Sequence, residues 1–431
     1  MTTILIRNGR VIDPSCGKDA IADLFIEDGQ IVGTPSLSPS TIIDAAGLWV
    51  VPGLIDVHVH LREPGAEHKE TIETGTAAAA AGGFTTVIAM PNTTPCADNP
   101  DVLKMVMEKA ASLGGTRVIQ SCAITVGRRG EQVVDMAAIK KETGVFVFTD
   151  DGDGVESDAV MEDALCRAVP LCAILSQHSE FARISKKAAL HEGEVSAVLK
   201  LAGQPVASEY EMVARDIALV KKTGGRLHVS HISSAEAIDA VRRAREEGLP
   251  VTAEVTPHHL HLTDDTVGEA GTMAKVAPPL RPLHHVEACR AALADGTIDV
   301  IATDHAPHTI ADKAGSMEKA SFGMVGLEIA VPMILALVKD NVLTPSRMID
   351  AMSCAPARIF GIPGGTLAPG AAADITLIDP DDPFDIDPRT FRSKGINTPF
   401  AGYHATGRAV CTIVGGRIIY RTGRAAQTPG S

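Results

Sequence analysis

The hydrophobic pattern at the two ends of the chain differs from the pattern in its middle. Residues 4–13 and 411–420 alternate apolar and polar side chains around a turn dipeptide, Asn8-Gly9 in the first run and the glycine pair 415–416 in the second. Alternation with period two around such dipeptides is typical of β-hairpins. Because an isolated two-stranded ribbon is only marginally stable, we expect the ends to join in one β domain, although two unrelated hairpins would give the same pattern.

Between the ends, short runs rich in β-branched residues alternate with alanine-rich segments. The eight candidate strands are LIDVHVH, TTVIAM, TRVIQSCAI, VFVFTD, CAILSQH, RLHVSHI, VTAEVTPHHL and VIATDHAP. Residues 69–83 and 233–248 are predicted helices, the second beginning with serines suited to capping. This alternation indicates parallel strands, and a count of eight favours a closed (β/α)8 barrel over an open doubly wound sheet. The prediction is an α/β protein with a barrel at 54–363 and a β domain from 1–53 and 364–431.

Composition narrows the class of protein. The 431 residues are 45% hydrophobic but only 3% aromatic, so we expect an aliphatic core of parallel strands covered by alanine-rich helices. The 39 Lys and Arg against 53 Asp and Glu give a net charge of −14, which makes nucleic acid and anionic membranes poor partners. Eight scattered cysteines without a CxxC pair, no signal sequence and no apolar run near roughly 20 residues predict a cytoplasmic protein with reduced thiols.

Side chains that ligate metals recur at the ends of the candidate strands. They are His58, His60, Asp151, His178, His231 and Asp304, with Asn92, His305 and His308 at similar positions. Because all strands of a barrel open their carboxyl ends on one face, these residues are expected to converge. Imidazoles and carboxylates ligate Zn²⁺ or a similar ion. Six candidate ligands are more than one tetrahedral site can use when it keeps a position open for water. We therefore predict two ions about 3.5–4 Å apart. His259 and His261, beyond the seventh strand, are further candidates.

Several longer motifs resemble those of one family. They are DVHVHLREPG at 56–65, PNTTP at 91–95, TDDG at 149–152, HEGEVS at 191–196, DHAPH at 304–308, SFGMVGLE at 321–328 and SKGINTPFAG at 393–402. Together they resemble the bacterial type I dihydroorotases of the amidohydrolase superfamily, over essentially the whole chain. The resemblance implies a TIM barrel of the metal-dependent hydrolase type, flanked by a small β-sandwich domain built from both chain ends.

The resemblance also implies a set of metal ligands. The matched ligands are His58 and His60 for the more buried zinc ion and His178 and His231 for the second. Asp304 resembles the aspartate that ligates the first metal and acts as general base and acid. Many relatives bridge the metals with a carboxylated lysine, which has no counterpart here. In the type I pattern the second of two aspartates bridges, which selects Asp151 over Asp150.

Substrate contacts follow from the same resemblance. The matched residues are Arg62, Asn92 and His308 for the substrate carboxylate and Phe322 with Gly323 for backbone contacts to its ring, and His60 is a further substrate-binding candidate. The chain departs from the family at Ala277, in the run VAPPLR, where a substrate-contacting asparagine is usual. Loss of that amide would weaken ring binding, be compensated by another group, or mark a changed specificity.

The implied activity is the reversible cyclisation of N-carbamoyl-L-aspartate to L-dihydroorotate in pyrimidine synthesis, with two Zn²⁺ per subunit. The resemblance further implies a homodimer and an association with aspartate transcarbamoylase. Two alternatives stay open. The first is another cyclic amidase, such as allantoinase or dihydropyrimidinase, and the second is a catalytically inactive scaffold for aspartate transcarbamoylase.

Overall fold

The computed structural model describes residues 3–426. The strands of these residues are β1 (Thr3–Asp13), β2 (Lys18–Glu27), β3 (Gln30–Val32), β4 (Thr41–Asp44), β5 (Trp49–Pro52), β6 (Leu54–Val59), β7 (Phe84–Ala89), β8 (Arg117–Gln120), β9 (Val147–Phe148), β10 (Ile174–Gln177), β11 (Leu190–His191), β12 (Gly203–Gln204), β13 (Arg226–Val229), β14 (Val251–Val255), β15 (Val300–Ile301), β16 (Ile375–Asp385), β17 (His404–Val414) and β18 (Arg417–Arg421).

The α-helices of the same residues are α1 (Ile72–Ala81), α2 (Pro100–Leu113), α3 (Met136–Thr143), α4 (Asp158–Ala168), α5 (Ala182–Ser185), α6 (Glu194–Leu199), α7 (Ala207–Thr223), α8 (Ala235–Glu246), α9 (Pro257–His261), α10 (Thr266–Ala270), α11 (Leu283–Asp295), α12 (Ile310–Lys313), α13 (Ala330–Lys339), α14 (Pro345–Ile349) and α15 (Ala355–Phe360). Within residues 3–426, no helix combines the length and the apolar character needed to span a membrane.

Parallel strands form a barrel in the middle of the chain. The barrel strands are β6, β7, β8, β9, β10, β13, β14 and β15, and each overlaps one of the runs that predicted a strand. Two seams, each made of a single β-bridge, close the barrel. One joins Cys122 to Phe148, and the second joins Val59 to His305. Asp56 strengthens the second seam, because its carboxylate accepts hydrogen bonds from the amide and hydroxyl of Thr303. Since β15 returns to β6, the closed barrel is confirmed and the open sheet is excluded.

The strands from both chain ends form one mixed sheet. Its order is β18-β17-β16-β5-β1-β2-β3, with β4 paired to the other part of β1. β5 joins the two ends, because it runs parallel to β1 on one side and antiparallel to β16 on the other. A bridge between Gln30 and Ala372 places β3 against the segment before β16. The strands of this sheet therefore enclose an aliphatic core of their own. The two ends therefore fold together, while the exact domain boundaries stay a prediction.

The hairpin predicted at Asn8-Gly9 is wrong. β1 continues through this dipeptide, and its pairing with β2 shifts register there, so the two residues form a bulge with Asn8 at a φ of 64°. A Cβ on Gly9 would lie 2.4 Å from Cγ2 of Val50, so glycine allows β5 to approach. The second hairpin is confirmed, since Gly415 and Gly416 turn the chain between β17 and β18 with φ of 54° and 74°.

Both predicted helices are present as α1 and α8, but they begin differently. α1 begins after Thr71, whose hydroxyl accepts a hydrogen bond from the amide of Thr74. α8 follows Ser234, whose buried hydroxyl has no hydrogen-bond partner among the described residues, so the serine cap predicted there is wrong. Glu209 of α7 instead holds the chain just before the helix, because its Oε1 accepts the amides of Ser233 and Ser234 at 2.8 and 3.1 Å.

Candidate active site

An open pocket of about 190 Å³ lies at the carboxyl ends of the barrel strands. It brings together nearly all of the side chains that the sequence selected. The predicted residues that line it are His60, Arg62, Asn92, Asp151, His178, His231, Ala277, Asp304, His308, Phe322 and Gly323. His58 is buried beneath them and is 1% exposed. The convergence predicted from the barrel topology is therefore present in the structure.

The first group of potential ligands surrounds Asp304. Nε2 of His60 lies 3.0 Å from Oδ1 of Asp304, and Nε2 of His58 lies 3.7 Å from the same oxygen. One ligand atom from each of these three residues lies within 4.8 Å of the others. His58 is the penultimate residue of β6 and His60 directly follows the strand, so their spacing of two places both rings on the same side, as predicted.

The second group surrounds Asp151. Oδ1 of Asp151 lies 3.1 Å from Nε2 of His58, 3.5 Å from Nε2 of His231 and 3.6 Å from Nδ1 of His178. Oδ2 of Asp151 lies 3.4 Å from Nε2 of His60. Asp151 therefore contacts both groups of histidines, which is the geometry of a bridging carboxylate.

Asp150 faces away from this cluster. Its Oδ1 accepts the amides of Ile124 and Thr125 at 2.8 and 3.0 Å, and its Oδ2 accepts the hydroxyl of Thr125. These three hydrogen bonds hold the Asp150 carboxylate against the loop after β8. The structure brings Asp151 and not Asp150 into the ligand cluster, and the bridging role of Asp151 stays a prediction.

The donor set fits bound metal. Nε2 of His58 and Oδ1 of Asp151 are fully buried and have no hydrogen-bond partner among the described residues. Buried polar atoms are normally hydrogen-bonded, and these two atoms lie 3.1 Å apart with poor hydrogen-bond geometry, so both are available to a shared ligand. Imidazole nitrogens and carboxylate oxygens at these separations are a donor set for Zn²⁺ or a similar ion.

The electrostatics of the cluster favour bound positive charge. Burial lowers the pKa of His58, but the carboxylates of Asp151 and Glu254 outweigh burial and raise the pKa well above its ordinary value. Burial likewise opposes ionisation of Asp304, yet His60 and His58 hold the pKa of that carboxyl well below its usual range. The carboxylates therefore stay ionised and attract cations into the pocket.

Three polar side chains orient the histidines, and of these Glu254 is buried while Asn92 and Glu180 are partly exposed in the pocket. Oε1 of Glu254 lies 2.6 Å from Nδ1 of His58, and Oδ1 of Asn92 lies 2.9 Å from Nδ1 of His60. Glu180 approaches Nε2 of His178 at 3.6 Å. Such partners fix the ring orientation and the tautomer, which leaves the opposite nitrogen to face the cluster.

A cationic corner lies on the other side of the pocket, around His308. Burial, with Arg62 and Lys69 nearby, lowers the pKa of His308 to about 3, so its ring is neutral. Nε2 of His308 then donates to the carbonyl of Phe322 at 2.7 Å, and Nδ1 accepts from Nζ of Lys69 at 3.3 Å. Burial lowers the pKa of Arg62 to about 10, so this group stays charged at neutral pH. The corner suits a carboxylate ligand.

The backbone of Gly323 is already engaged within the protein. Its amide donates to the carbonyl of Lys275 at 2.9 Å, and its carbonyl accepts from Nζ of Lys313 at 2.9 Å and from Nδ2 of Asn397 at 3.1 Å. With a φ of 119°, Gly323 adopts a conformation that favours glycine, and a Cβ there would lie 2.5 Å from Cβ of Ala306. Gly323 thus shapes the wall of the pocket.

Three site residues other than glycine have positive φ. Arg62, His231 and Asp304 have φ values of 60°, 33° and 47°. Side chains with a Cβ rarely adopt this region, and such strain is found at sites where the surrounding structure fixes a side chain in place. Each of the three lies two or three residues beyond the end of a barrel strand, where the chain must turn out of the barrel and still aim a polar group inward.

Sequence reasoning missed Glu254 and Asn397, and it overestimated two histidines. Glu254 is a carboxylate within the apolar strand β14, and a charge in a buried strand is a signal that could have identified it. His259 Nε2 and His261 Nε2 lie 3.1 and 2.8 Å from the backbone carbonyls of Pro278 and Met333. The structure does not bring these two histidines into the ligand cluster.

Comparisons with known proteins agree with this geometry. A family model described as Dihydro-orotase-like matches residues 47–237, and one described as Amidohydrolase family matches residues 178–420. The chain is 47% identical over 428 residues to the dihydroorotase of Anaeromyxobacter dehalogenans strain 2CP-1, covering 98% of this chain and 99% of that protein. It is 49% identical over 421 residues to the dihydroorotase of Pelotomaculum thermopropionicum, covering 96% and 98%.

Solved structures of similar fold are cyclic amidohydrolases. The L-hydantoinase (dihydropyrimidinase) of Arthrobacter aurescens matches with a TM-score of 0.88 at 28% identity, covering 98% of this chain and 97% of that one. The dihydropyrimidinase of Brevibacillus agri shares the fold with a TM-score of 0.83 at 23% identity, covering 97% and 95%. From the site, the fold and the full-length identity together, the chain belongs to the dihydroorotase family of the amidohydrolases.

Proposed function

We propose that this protein catalyses the reversible cyclisation of N-carbamoyl-L-aspartate to L-dihydroorotate and water, in pyrimidine biosynthesis in the cytoplasm. One observation carries the proposal. A buried cluster of histidines and aspartates faces a cationic corner at Arg62 and His308 across one pocket, in a chain nearly half identical to proteins named dihydroorotase. The cluster suits amide chemistry, and the corner suits a substrate that carries a carboxylate.

We propose two Zn²⁺ ions as cofactors. The residues that would hold them are His58, His60 and Asp304 for the first, His178 and His231 for the second, and Asp151 for both. When bound, such ions lower the pKa of a water molecule and polarise an amide carbonyl. The buried unpaired atoms of His58 and Asp151 support this assignment.

Asp304 is proposed to carry the proton. Its carboxylate lines the pocket and lies 3.0 Å from Nε2 of His60, so it stands between the ligand cluster and the space for the ring. In hydrolysis Asp304 takes the proton of the attacking water and delivers it to the departing ring nitrogen. In cyclisation it takes the proton from the attacking nitrogen and delivers it to the hydroxide that leaves the carboxyl carbon as water. The role requires one carboxylate within hydrogen-bond reach of both atoms.

Arg62, Asn92 and His308 are proposed to bind the substrate carboxylate. A guanidinium offers two parallel N–H donors that match the two oxygens of a carboxylate. Nη2 of Arg62 lies 3.2 Å from Nε2 of His308, so both residues face the same small volume. Arg62 is itself held by the carbonyl of Pro307, which accepts from its Nε at 3.3 Å.

A second candidate is a cyclic amidase whose substrate lacks a carboxylate, such as dihydropyrimidinase or allantoinase. The observation that favours it is the TM-score of 0.88 with an L-hydantoinase, together with Ala277 in the pocket wall. The charged Arg62 in the pocket argues against it, because a neutral ring would leave that guanidinium unpaired. An inactive scaffold is disfavoured because all six ligand residues are present.

The deciding experiment assays the zinc-loaded protein on L-dihydroorotate, dihydrouracil and allantoin side by side, with metal content measured on the same sample. We expect turnover of dihydroorotate and cyclisation of carbamoyl aspartate, with two metal ions per chain. Turnover of dihydrouracil or allantoin in its place would select the second candidate. Full metal content without turnover of any substrate would favour the scaffold.

A homodimer and an association with aspartate transcarbamoylase are also proposed. The family resemblance of the motifs supports both. Light scattering of the purified chain, alone and mixed with aspartate transcarbamoylase of the same source, measures the two states directly. A monomer in the first experiment, or no mass increase in the second, would contradict the respective proposal.

A further inference from the structure

A segment that lies outside the barrel reaches the substrate pocket. Residues 392–398, between β16 and β17, are anchored to the barrel by two carboxylates. Glu328 accepts the backbone amide of Arg392 at 2.8 Å, and Glu70 accepts the backbone amide of Lys394 at 3.2 Å. Ser393 also donates its hydroxyl to Glu70. The 392–398 segment is therefore fixed against the barrel by its backbone, independently of the apolar contacts around it.

Glycine allows this segment to lie directly on the wall of the pocket. A Cβ on Gly395 would lie 2.6 Å from Cβ of Pro307 and 2.8 Å from Cγ1 of Val325. Side chains never approach that closely, so any other residue would push the segment away from the chain that follows Asp304. The close approach places the next polar side chain, that of Asn397, between the two stretches of chain that form the wall.

Asn397 links those two stretches through its side-chain amide. Its Oδ1 accepts the backbone amide of His308 at 2.9 Å, and its Nδ2 donates to the carbonyls of Ala306 and Gly323 at 3.0 and 3.1 Å. The side chain is 1% exposed, so water cannot replace these bonds. The three partners line the pocket, whereas Asn397 itself does not.

The bonds of Asn397 fix the group that completes the cationic corner. His308 stands between Arg62 and Phe322, with Nε2 at 3.2 Å from Nη2 of Arg62 and 2.7 Å from the carbonyl of Phe322. Gly323 follows Phe322 directly, so Asn397 holds the backbone on both sides of the His308 ring. A small displacement of either stretch would separate His308 from Arg62.

We propose that Asn397 is a positioning residue for substrate recognition: it sets the spacing of His308 and Arg62 and so determines the affinity for the substrate carboxylate. The inference rests on the proposed function, because the corner is assigned to that carboxylate. Asn397 touches none of the metal-ligand side chains in the described structure. Its loss should therefore weaken substrate binding and leave the chemical step and the metal content unchanged.

The test compares Asn397→Asp and Asn397→Ala with Thr412→Val. In Asn397→Asp the carboxylate still accepts from His308 but cannot donate to Ala306 and Gly323. Thr412 is an apt control because its buried hydroxyl also joins the terminal sheet to the barrel, donating to the carbonyl of Ala80 at 2.7 Å, and neither residue lines the pocket. Measurements are KM and kcat in both directions, metal content, thermal midpoint, and hydrogen exchange of residues 306–325.

We expect Asn397→Asp to raise KM by about tenfold or more, with kcat within about threefold of wild type and full metal content. Thr412→Val should lower the thermal midpoint and leave KM unchanged. An unchanged KM in Asn397→Asp, or an equal rise in Thr412→Val, would overturn the proposal. If Asn397→Ala fails to fold, Asn397→Asp alone decides.

Hydrogen exchange separates a failure of this inference from a failure of the proposed function. If the wild-type protein turns over neither substrate, the function is wrong and the exchange data decide the positioning role alone. Faster exchange of residues 306–325 in Asn397→Asp than in Thr412→Val would support that role. Equal exchange in the two variants would overturn it.

Discussion

Oε1 of Glu254 lies 2.6 Å from Nδ1 of His58, and this contact determines which nitrogen of His58 faces the ligand cluster. The other oxygen of Glu254 lies 3.0 Å from Nε2 of His228, and Oε1 also accepts the backbone amide of His231. Burial opposes ionisation of Glu254, but His58 and His228 lower its pKa to about 2. One ionised carboxylate on β14 therefore organises histidines from two other strands.

Replacing Glu254 with Gln should weaken metal binding by about 10- to 100-fold, because the amide keeps the size of the side chain but loses the charge that polarises His58. The measurement is a competition titration with a chelator of known affinity. Asp216→Asn is the matched control, since Asp216 is also a fully buried carboxylate but contacts no proposed ligand. Equal metal affinity in the two variants would show that Glu254 does not tune the site.

The Asp304→Asn variant should retain bound metal but lose catalytic turnover. The amide keeps an oxygen toward the ligand cluster but cannot accept a proton from water, and general acid–base catalysis contributes about 10²–10⁴-fold to a rate. Metal analysis and single-turnover rates on the same preparation check both halves of this expectation. A rate close to that of the wild-type protein would exclude Asp304 as the proton carrier.

Arg62→Lys should raise KM for dihydroorotate by about tenfold and change kcat little, because an ammonium cannot make the two parallel bonds of a guanidinium. Steady-state kinetics in both directions provide the measurement. Arg129→Lys is the control, because Arg129 is an exposed arginine in a neighbouring cavity beyond the ligand cluster. If both variants bind substrate as the wild type does, the carboxylate is bound elsewhere.

Arg281→Met should destabilise the fold by about 3–5 kcal/mol, because it leaves the charge of Glu209 buried without its partner. Nη2 of Arg281 lies 2.8 Å from Oε2 of Glu209, and the two side chains are 1% and 2% exposed. The double variant with Glu209→Gln should recover part of the loss, since no charge is then left unpaired. Thermal unfolding of the three proteins is the measurement, and a double variant as unstable as Arg281→Met would contradict the account.

The stability contribution of Asp216 should depend on pH. Burial raises the pKa of Asp216 to about 6 despite the neighbouring Arg215, so the folded protein binds this proton more tightly than the unfolded chain does. The contribution is therefore fully present below about pH 4 and falls as the pH rises to about 6. Relative to wild type, Asp216→Asn should gain about 2–3 kcal/mol between those limits. Melting both proteins across this range tests it, and parallel curves would refute the shift.

The candidate metal ligands at the strand ends were predictable from the sequence, because they follow from local spacing. His58 and His60 are two residues apart at the end of an apolar run, and barrel topology then brings Asp304 to the same face. The choice of Asp151 over Asp150 needed the family pattern, since adjacent carboxylates are equivalent in a linear sequence. The structure separates them through the amides that Asp150 accepts.

Other features depend on partners that are distant in the chain. Asn8-Gly9 has the composition of a hairpin turn, but β2, β4 and β5 pair along β1 and keep the strand extended through it. Asn397 lies in a loop with no periodicity, and its role depends on His308 and Gly323. No local pattern encodes these contacts, so sequence reasoning could not reach them.

The pairing of β5 with β16 also has a consequence for biosynthesis. Pro52 pairs with Ile375 and Trp49 with Ile378, so nearly the whole barrel is translated between the two partners. Until β16 leaves the ribosome, β5 presents a row of unpaired amides and carbonyls, the kind of strand edge that recruits other chains. The nascent protein therefore carries an unpaired, aggregation-prone strand edge for most of its synthesis. Its own carboxyl-terminal strands finally pair with that edge.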